Sequence, residues 1–427
     1  MNFKLEAFQN PYLSAGANRV DAILTVTGDG DGASQSTQTA SVVGFILDTS
    51  GSMQGERIES VIHATRQAIQ LLSEQTWFFI VGFADNAGLI FGLAQATSAN
   101  KMMADAQVKR ISAGGTTRMS AGLAVARQQF MQAPNAIHYV LFLTDGKNND
   151  NDEDTLEATL AQCEGVFQCD CRGVGTDWQV KQLQRISGRL LGTAQLIAAP
   201  SGLAADFSAA IQGATSRAVN NVRLRLWTPK SAHIVSVKQM SPDIVMLTDR
   251  KIPVDAQTQD YPTGAWAPES RDYYVAIEMQ TPGDVGDEML ACRPSLVYEA
   301  GGQLQEVKAP NARALASWTD DEGLSARINP QVAHYTGQAE LAQAIQEGLE
   351  ARAQGDSETA TRMLGRAAKL AQASNNEETT TRLKKVVDIV DAEHGTVRLK
   401  SKVEKADEMD LDLGSTRTAR ARRPASS

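Results

Sequence analysis

Val42-Val43-Gly44-Phe45-Ile46-Leu47-Asp48-Thr49-Ser50-Gly51-Ser52 decides how this chain is read. The six residues from Val42 to Leu47 form an apolar run of the length and composition of a buried strand. The run stops where oxygen-bearing side chains begin. Asp48, Ser50 and Ser52 place three hard oxygens at alternate positions of one tight loop, and a helix-like pattern follows. Hard oxygens so arranged suit a hard divalent cation such as Mg²⁺.

Two later segments supply what this loop lacks. Gly114-Gly115-Thr116-Thr117 carries a hydroxyl on a glycine-rich loop ahead of a helix-like run. Tyr139-Val140-Leu141-Phe142-Leu143-Thr144-Asp145-Gly146 is a second buried strand, again with a carboxylate at its C-terminal end. In a parallel α/β sheet, ligands bind outside the carboxyl ends of the strands. Loops distant in sequence would therefore meet in one crevice, lined by Asp48, Ser50, Ser52, Thr116 and Asp145.

These three motifs, in this order and each after an apolar strand, resemble the von Willebrand factor A (vWA) domain. The resemblance covers residues 40–217 and implies that family's metal-ion-dependent adhesion site. Carried over residue by residue, it makes Ser50 and Ser52 direct metal ligands through their hydroxyls. Thr116 would bind directly or through water, depending on state. Asp48 and Asp145 would act mostly through water. All five positions are filled, so an intact site is expected, holding Mg²⁺ or Mn²⁺. With a largely neutral direct shell, the metal would stay electrophilic toward a carboxylate from a partner's Asp or Glu. The resemblance also implies open and closed states of the site.

The remainder of this region fits alternating strands and helices. Ile58, Val61, Ile62, Ala68, Ile69 and Leu72 recur at helical spacing over 57–72. Residues 76–83 and 167–174 read as strands, 87–91 as a short edge strand and 190–197 as the last strand. Helices are expected over 119–131, 177–187 and 203–218. The alternation argues for βα units and a mostly parallel sheet. Asp150, Asp152, Glu153 and Asp154 crowd the rim of the expected site. They read either as a second cation site or repulsive collar, or as a solvated loop and an acidic helix N-terminus, where negative charge is favoured.

Outside this region, 17–28 reads as a strand without partners of its own, and 29–39 as a Gly/Asp/Ser/Thr-rich linker. Strand-like runs at 222–227, 232–239, 244–247, 272–279 and 289–299 are separated by turn signals such as Ser241-Pro242-Asp243. Together they predict a Rossmann-like doubly wound vWA domain inserted in an antiparallel β-sandwich. Apolar stripes then predict helices: Ala339 to Leu349, Ala360 to Leu370, and Leu383, Val386, Val387 and Ile389. The expected organisation is 1–39 as N-terminal strands and linker, 40–217 as the vWA domain and 218–325 as the sandwich. A helical hairpin or bundle follows over 326–395, and a disordered charged tail over 396–427. That tail is acidic over 404–412 and basic over 417–423, with Ser415, Thr416 and Thr418 between. It reads as a solubilising tail or as a kinase target read by a forkhead-associated domain.

The net charge of −9 argues against a general nucleic-acid binder. Met1-Asn2-Phe3-Lys4-Leu5-Glu6 lacks a leader's apolar core, and no stretch approaches the roughly 18 apolar residues of a membrane span. A cytoplasmic protein is expected. The four cysteines form no CxxC pair, so Cys163, Cys169 and Cys171 read as small core hydrophobes. The five histidines lack ligand spacing. A hydroxyl nucleophile needs a nearby base, and none stands in the motif loops, so no enzyme activity is expected. The function expected is a Mg²⁺-dependent protein–protein interaction module, an intracellular scaffold or signalling adaptor. The alternative is an adaptor subunit for an AAA+ ATPase or chelatase; the chain has no phosphate-binding Gly-x-x-x-x-Gly-Lys loop to be the motor itself.

Overall fold

The computed structural model describes residues 1–30, 40–280, 283–300, 303–418 and 420, without the side chain of Ala300. The chain divides into two compact units. One comprises Ala33–Asn221 with Gly264–Pro268, the other Met1–Gly32, Val222–Thr263 and Glu269–Ser427.

In the first unit, six strands form one sheet in the order Ala87–Gln95, Thr76–Phe83, Ser41–Asp48, Ile137–Thr144, Gln168–Val174, Ala194–Ile197. Neighbours run parallel except at the Ala87–Gln95 edge, which is antiparallel to Thr76–Phe83. Helices cover both faces, so the central strands are apolar on both sides; every residue of Ile137–Thr144 is buried. Val43, Phe45 and Leu47 join Val61, Ala68 and Ile69 of helix Glu56–Leu71 and Phe207 of helix Leu203–Thr215 in one core. Each large side chain so buried contributes roughly 1.5–3 kcal/mol.

The opposite face needs small residues. A methyl at Gly44 would stand 2.4 Å from Phe79 Cζ. One at Gly122, on helix Met119–Phe130, would stand 2.8 Å from Ile46 Cγ2. Register then sets the height of the loops that follow these strands. Leu47 pairs with Leu143, so Asp48 stands level with Thr144, and Asp145 follows one residue later. The structure also contains a helix the periodicity did not reveal, Ser98–Val108, whose N-cap Thr97 accepts from the Asn100 N–H.

The second unit holds two large sheets and a two-stranded one. One is antiparallel, in the order Asn2–Gln9, Arg19–Asp29, Ser270–Met279, Ala232–Ser241, Val245–Met246. The strand expected at 17–28 therefore does have a neighbour in its own N-terminal segment: Asn2–Gln9 pairs with it from Asn2 opposite Asp29 to Gln9 opposite Ala22. The second sheet runs Ile252–Pro253, Thr258–Trp266, Val219–Trp227, Glu288–Ala300, Ala314–Thr319, Tyr12–Ser14, with Gln303–Lys308 also paired to Glu288–Ala300. Sequence positions before and after the vWA region thus share one sandwich.

Helices Pro330–Ala353 and Ser357–Ala373 form a hairpin, brought close where Gly348 meets Leu364. Asn329 and Asp356 cap them through backbone N–H groups of Gln331 and Thr359. Two expectations are corrected beyond this point. The stripe ending in Val387 and Ile389 is helical only over Glu377–Val386; Val387–Asp391 is a strand paired with Thr396–Leu399. Its β-branched residues, Val387, Ile389 and Val390, favour extended backbone. The tail expected to be disordered from 396 is folded to Thr418. Helix Lys405–Ser415 buries Met409, Leu411 and Leu413, and Leu411 joins the core of the hairpin. Its acidic residues are matched by Arg352–Glu408, Arg382–Asp410 and Lys385–Asp407 ion pairs. The linker read at 29–39 lies mostly outside the described residues, as do 419 and 421–423 of the basic stretch. No helix among the described residues is long and apolar enough to cross a membrane.

Candidate metal centre

The Asp48 carboxylate is fully buried at the end of its strand. Its Oδ1 accepts the Ser50 N–H at 2.8 Å and its Oδ2 the Thr144 hydroxyl at 2.6 Å. One carboxylate thus shapes its own loop and ties it to the neighbouring strand end. Burial pushes the Asp48 carboxyl up to about 6, against the hydrogen bonds from Ser50 and Thr144 and with a further rise from the charge of Asp145. The two buried carboxylates act on one another, and a nearby cation would favour the charged form of both.

The hydroxyls form a relay. Ser50 Oγ lies 3.1 Å from Ser52 Oγ, and Ser52 Oγ donates to Asp145 Oδ1 at 2.6 Å. Ser52 has one proton and gives it to Asp145, so Ser50 is the donor between the serines. Asp145 is itself fully buried, and its Oδ2 accepts from Arg57 Nη1 at 2.5 Å. The second arm of Arg57 reaches Asp177 Oδ2 at 3.1 Å.

The glycine-rich loop is stitched alongside. Gly114 N–H donates to Thr49 O at 2.8 Å, and Gly51 N–H to Gly115 O at 2.9 Å. Gly115 has φ +85°, and a Cβ there would collide with Asp85 Oδ2, so glycine is required. Thr116 is exposed. Its N–H and hydroxyl both donate to Asp85 Oδ1, at 3.0 and 2.6 Å, and hold the Asp85 carboxyl below the usual carboxylate range.

Four of the five predicted residues, Asp48, Ser50, Ser52 and Asp145, therefore belong to one hydrogen-bonded cluster. Thr116 stands on the adjoining loop with its proton given to Asp85. Three residues of the site went unassigned in the sequence reading: Arg57, Asp85 and Thr144. Asp85 follows strand Thr76–Phe83, so the strand-end rule that found Asp145 reaches it too.

The donor set suits a hard cation. Among the described residues no group of three or more His, Cys, Asp or Glu is arranged to hold a metal. A cation here would rely on hydroxyl oxygens beside two carboxylates, the choice of Mg²⁺ or Mn²⁺ over softer ions. Each of Ser52 and Thr116 hands its proton to a carboxylate, which leaves oxygen lone pairs free for a ligand.

The acidic run divides. Asp152 is buried, accepts from the Ser120 backbone N–H and hydroxyl, and pairs with Arg118. It anchors the start of helix Met119–Phe130. Glu153 takes Gln182 and Arg185. Only Asp150 and Asp154 are exposed. Cys163, Cys169 and Cys171 are buried thiols, with Cys169 and Cys171 sulfurs 3.9 Å apart. Burial pushes the Cys163 thiol up to about 12, which makes a thiolate ligand unfavourable.

Residues 41–196 match the von Willebrand factor type A domain family, and residues 369–415 match the von Willebrand factor type A C-terminal domain. An uncharacterized protein of Synechocystis sp. is 26% identical over 209 residues, 48% of this chain and 49% of that protein. The chain thus spans about half the length of the curated relative it matches. The ArnB paralog VWA2 of Sulfolobus acidocaldarius has the same fold at 15% identity, with TM-score 0.61 over 97% of this chain and 98% of that one. A von Willebrand factor type A protein of Catenulispora acidiphila is 40% identical, covers 98% of this chain and 97% of its own, and superposes with TM-score 0.92. On this whole-chain similarity, the protein belongs to the von Willebrand factor type A family.

Proposed function

We propose that the chain is a Mg²⁺-dependent protein-binding module that takes an acidic side chain of a partner at the Asp48–Ser50–Ser52–Asp145 cluster, with Thr116 completing it. One observation carries the reading: two fully buried carboxylates and a serine relay converge at the C-terminal ends of adjacent parallel strands. Bound there, Mg²⁺ or Mn²⁺ would supply an electrophilic centre for a carboxylate from outside. Ser50 and Ser52 offer neutral oxygens toward it. Asp48 has both oxygens engaged by Ser50 and Thr144, so it holds the loop in shape and contributes charge at second hand. Thr116 is oriented through Asp85. The sandwich and the helical region act as a scaffold, and the role is binding rather than turnover.

The test is capture of partners from the source cell by the full chain, in Mg²⁺ and in EDTA, with wild type and Asp48→Ala. The reading expects a partner retained only by wild type in Mg²⁺. The same partner held equally in EDTA would overturn it.

A further inference from the structure

Arg57 stands on the first turn of helix Glu56–Leu71, directly behind the Asp48–Ser52 loop. Its slot is built from three segments. Nη1 donates to the buried Asp145 at 2.5 Å and approaches Ser52 O at 3.5 Å. Nη2 donates to Asp177 at 3.1 Å. Gly175, at φ +67°, leaves room for the guanidinium: a Cβ there would stand 3.4 Å from Nη2. Asp145 is 0% exposed and Arg57 31%. Both oxygens of Asp145 are thus committed, one to Ser52 and one to a fixed positive charge.

We infer that Arg57 is a built-in counter-cation that competes with the divalent ion for the charge of Asp145 and so sets the metal affinity of the site. The inference rests on the metal-binding reading above. A carboxylate already paired with a guanidinium attracts a second cation less. The cost falls on metal affinity. The benefit falls on selectivity: with Asp145 neutralised, an outside carboxylate has less internal negative charge to compete with. Arg57 is a positioning residue, acting through Asp145. A lysine would keep the charge but lose the planar fork that spans Asp145 and Asp177.

The experiment is calorimetric titration of the metal-free full chain with Mg²⁺ alone, for wild type, Arg57→Gln, Arg57→Lys and Asp177→Asn, with each melting temperature recorded without metal. Arg57→Gln is expected to bind Mg²⁺ about tenfold tighter than wild type. Arg57→Lys should stay within about threefold of wild type. Asp177→Asn, at an exposed position, leaves Arg57 one counter-charge fewer and should bind more weakly. Binding by Arg57→Gln alone also supports the inference. Wild type binding with Arg57→Gln equal or weaker, whatever its melting temperature, overturns the inference and leaves the metal reading standing. Absence of Mg²⁺ binding in all four proteins overturns both. If Arg57→Gln fails to fold, unchanged affinity in Asp177→Asn still refutes the role of Arg57.

Discussion

Thr116 gives both of its donors, the backbone N–H and the hydroxyl, to a single oxygen of Asp85. A threonine that is to offer oxygen lone pairs to a cation must dispose of its proton elsewhere, and Asp85 receives it. The residue that orients Thr116 therefore comes from a fourth loop, at the end of strand Thr76–Phe83.

Asp85→Ala is accordingly expected to lower Mg²⁺ affinity by about 10–100-fold, as loss of an orienting partner commonly does. Thr116→Ala should cost a similar amount, and the double variant little more than either, because the two residues act as one unit. Isothermal titration of the four proteins checks this. Additive losses would mean that Asp85 and Thr116 act separately.

Asp48 and Asp145 repel one another in a buried place, and a divalent ion would relieve that repulsion. Saturating Mg²⁺ should raise the melting temperature of wild type, by an amount equivalent to about 2.7 kcal/mol at a hundred times the dissociation constant. Asp48→Ala should melt cooperatively yet show no dependence on Mg²⁺. Calorimetry with Mg²⁺ and with EDTA makes the comparison, and an equal Mg²⁺ shift in the variant would remove Asp48 from the site.

Packing behind the loops makes a separate prediction. Gly44→Ala places a methyl against the Phe79 ring, in a core without slack, and should destabilise by about 1–3 kcal/mol. Gly114→Ala, where a Cβ meets nothing within 4 Å, should be nearly neutral to stability. Urea denaturation measures both.

The fold was legible wherever a local pattern had one physical explanation. Val42 to Leu47 and Tyr139 to Leu143 are too apolar for anything but strands buried on both faces, and both run into the oxygen-bearing side chains of the candidate site. The helix Ser98–Val108 was not legible, because only Ala104 and Val108 of it are buried while Met102 and Met103 point outward. Its cap, Thr97, was a signal that periodicity alone overlooks. Asn2–Gln9 alternates Phe3, Leu5 and Ala7, yet it pairs with Arg19–Asp29 across the intervening Tyr12–Ser14 strand, which local alternation does not reveal. The tail misled for a different reason. The charges of 404–412 look unpaired along the sequence, and their partners Arg352, Arg382 and Lys385 come from helices far upstream. The same holds at the site. Thr144, Asp85 and Arg57 make their contacts with segments distant in sequence, which spacing does not encode.

The folded tail changes what a modification at Thr418 would do. The Thr418 hydroxyl donates to the Met240 carbonyl and lies 3.3 Å from that of Pro242. Its N–H donates to Pro242 O at 3.0 Å, and Ile244 N–H donates to Thr416 O at 2.8 Å. Two residues on, Arg420 Nε lies 3.3 Å from Asp272 Oδ2, a buried carboxylate that also takes the Thr25 and Tyr335 hydroxyls. A phosphate carries about −1.5 to −2 charge at neutral pH and strong acceptor oxygens, and would meet the Met240 and Pro242 carbonyl oxygens, which cannot donate to it. Phosphorylation at Thr418, or Thr418→Glu in its place, is expected to release residues 416–418 from the sandwich strand. Thr418→Val removes one hydrogen bond, costs about 1 kcal/mol and should leave the segment docked. Amide hydrogen exchange reads the difference. Protection of the Ile244 and Thr418 amides should fall at least tenfold in Thr418→Glu and persist in Thr418→Val. Full protection in the glutamate variant would show that the dock tolerates charge and that Thr418 does not govern it.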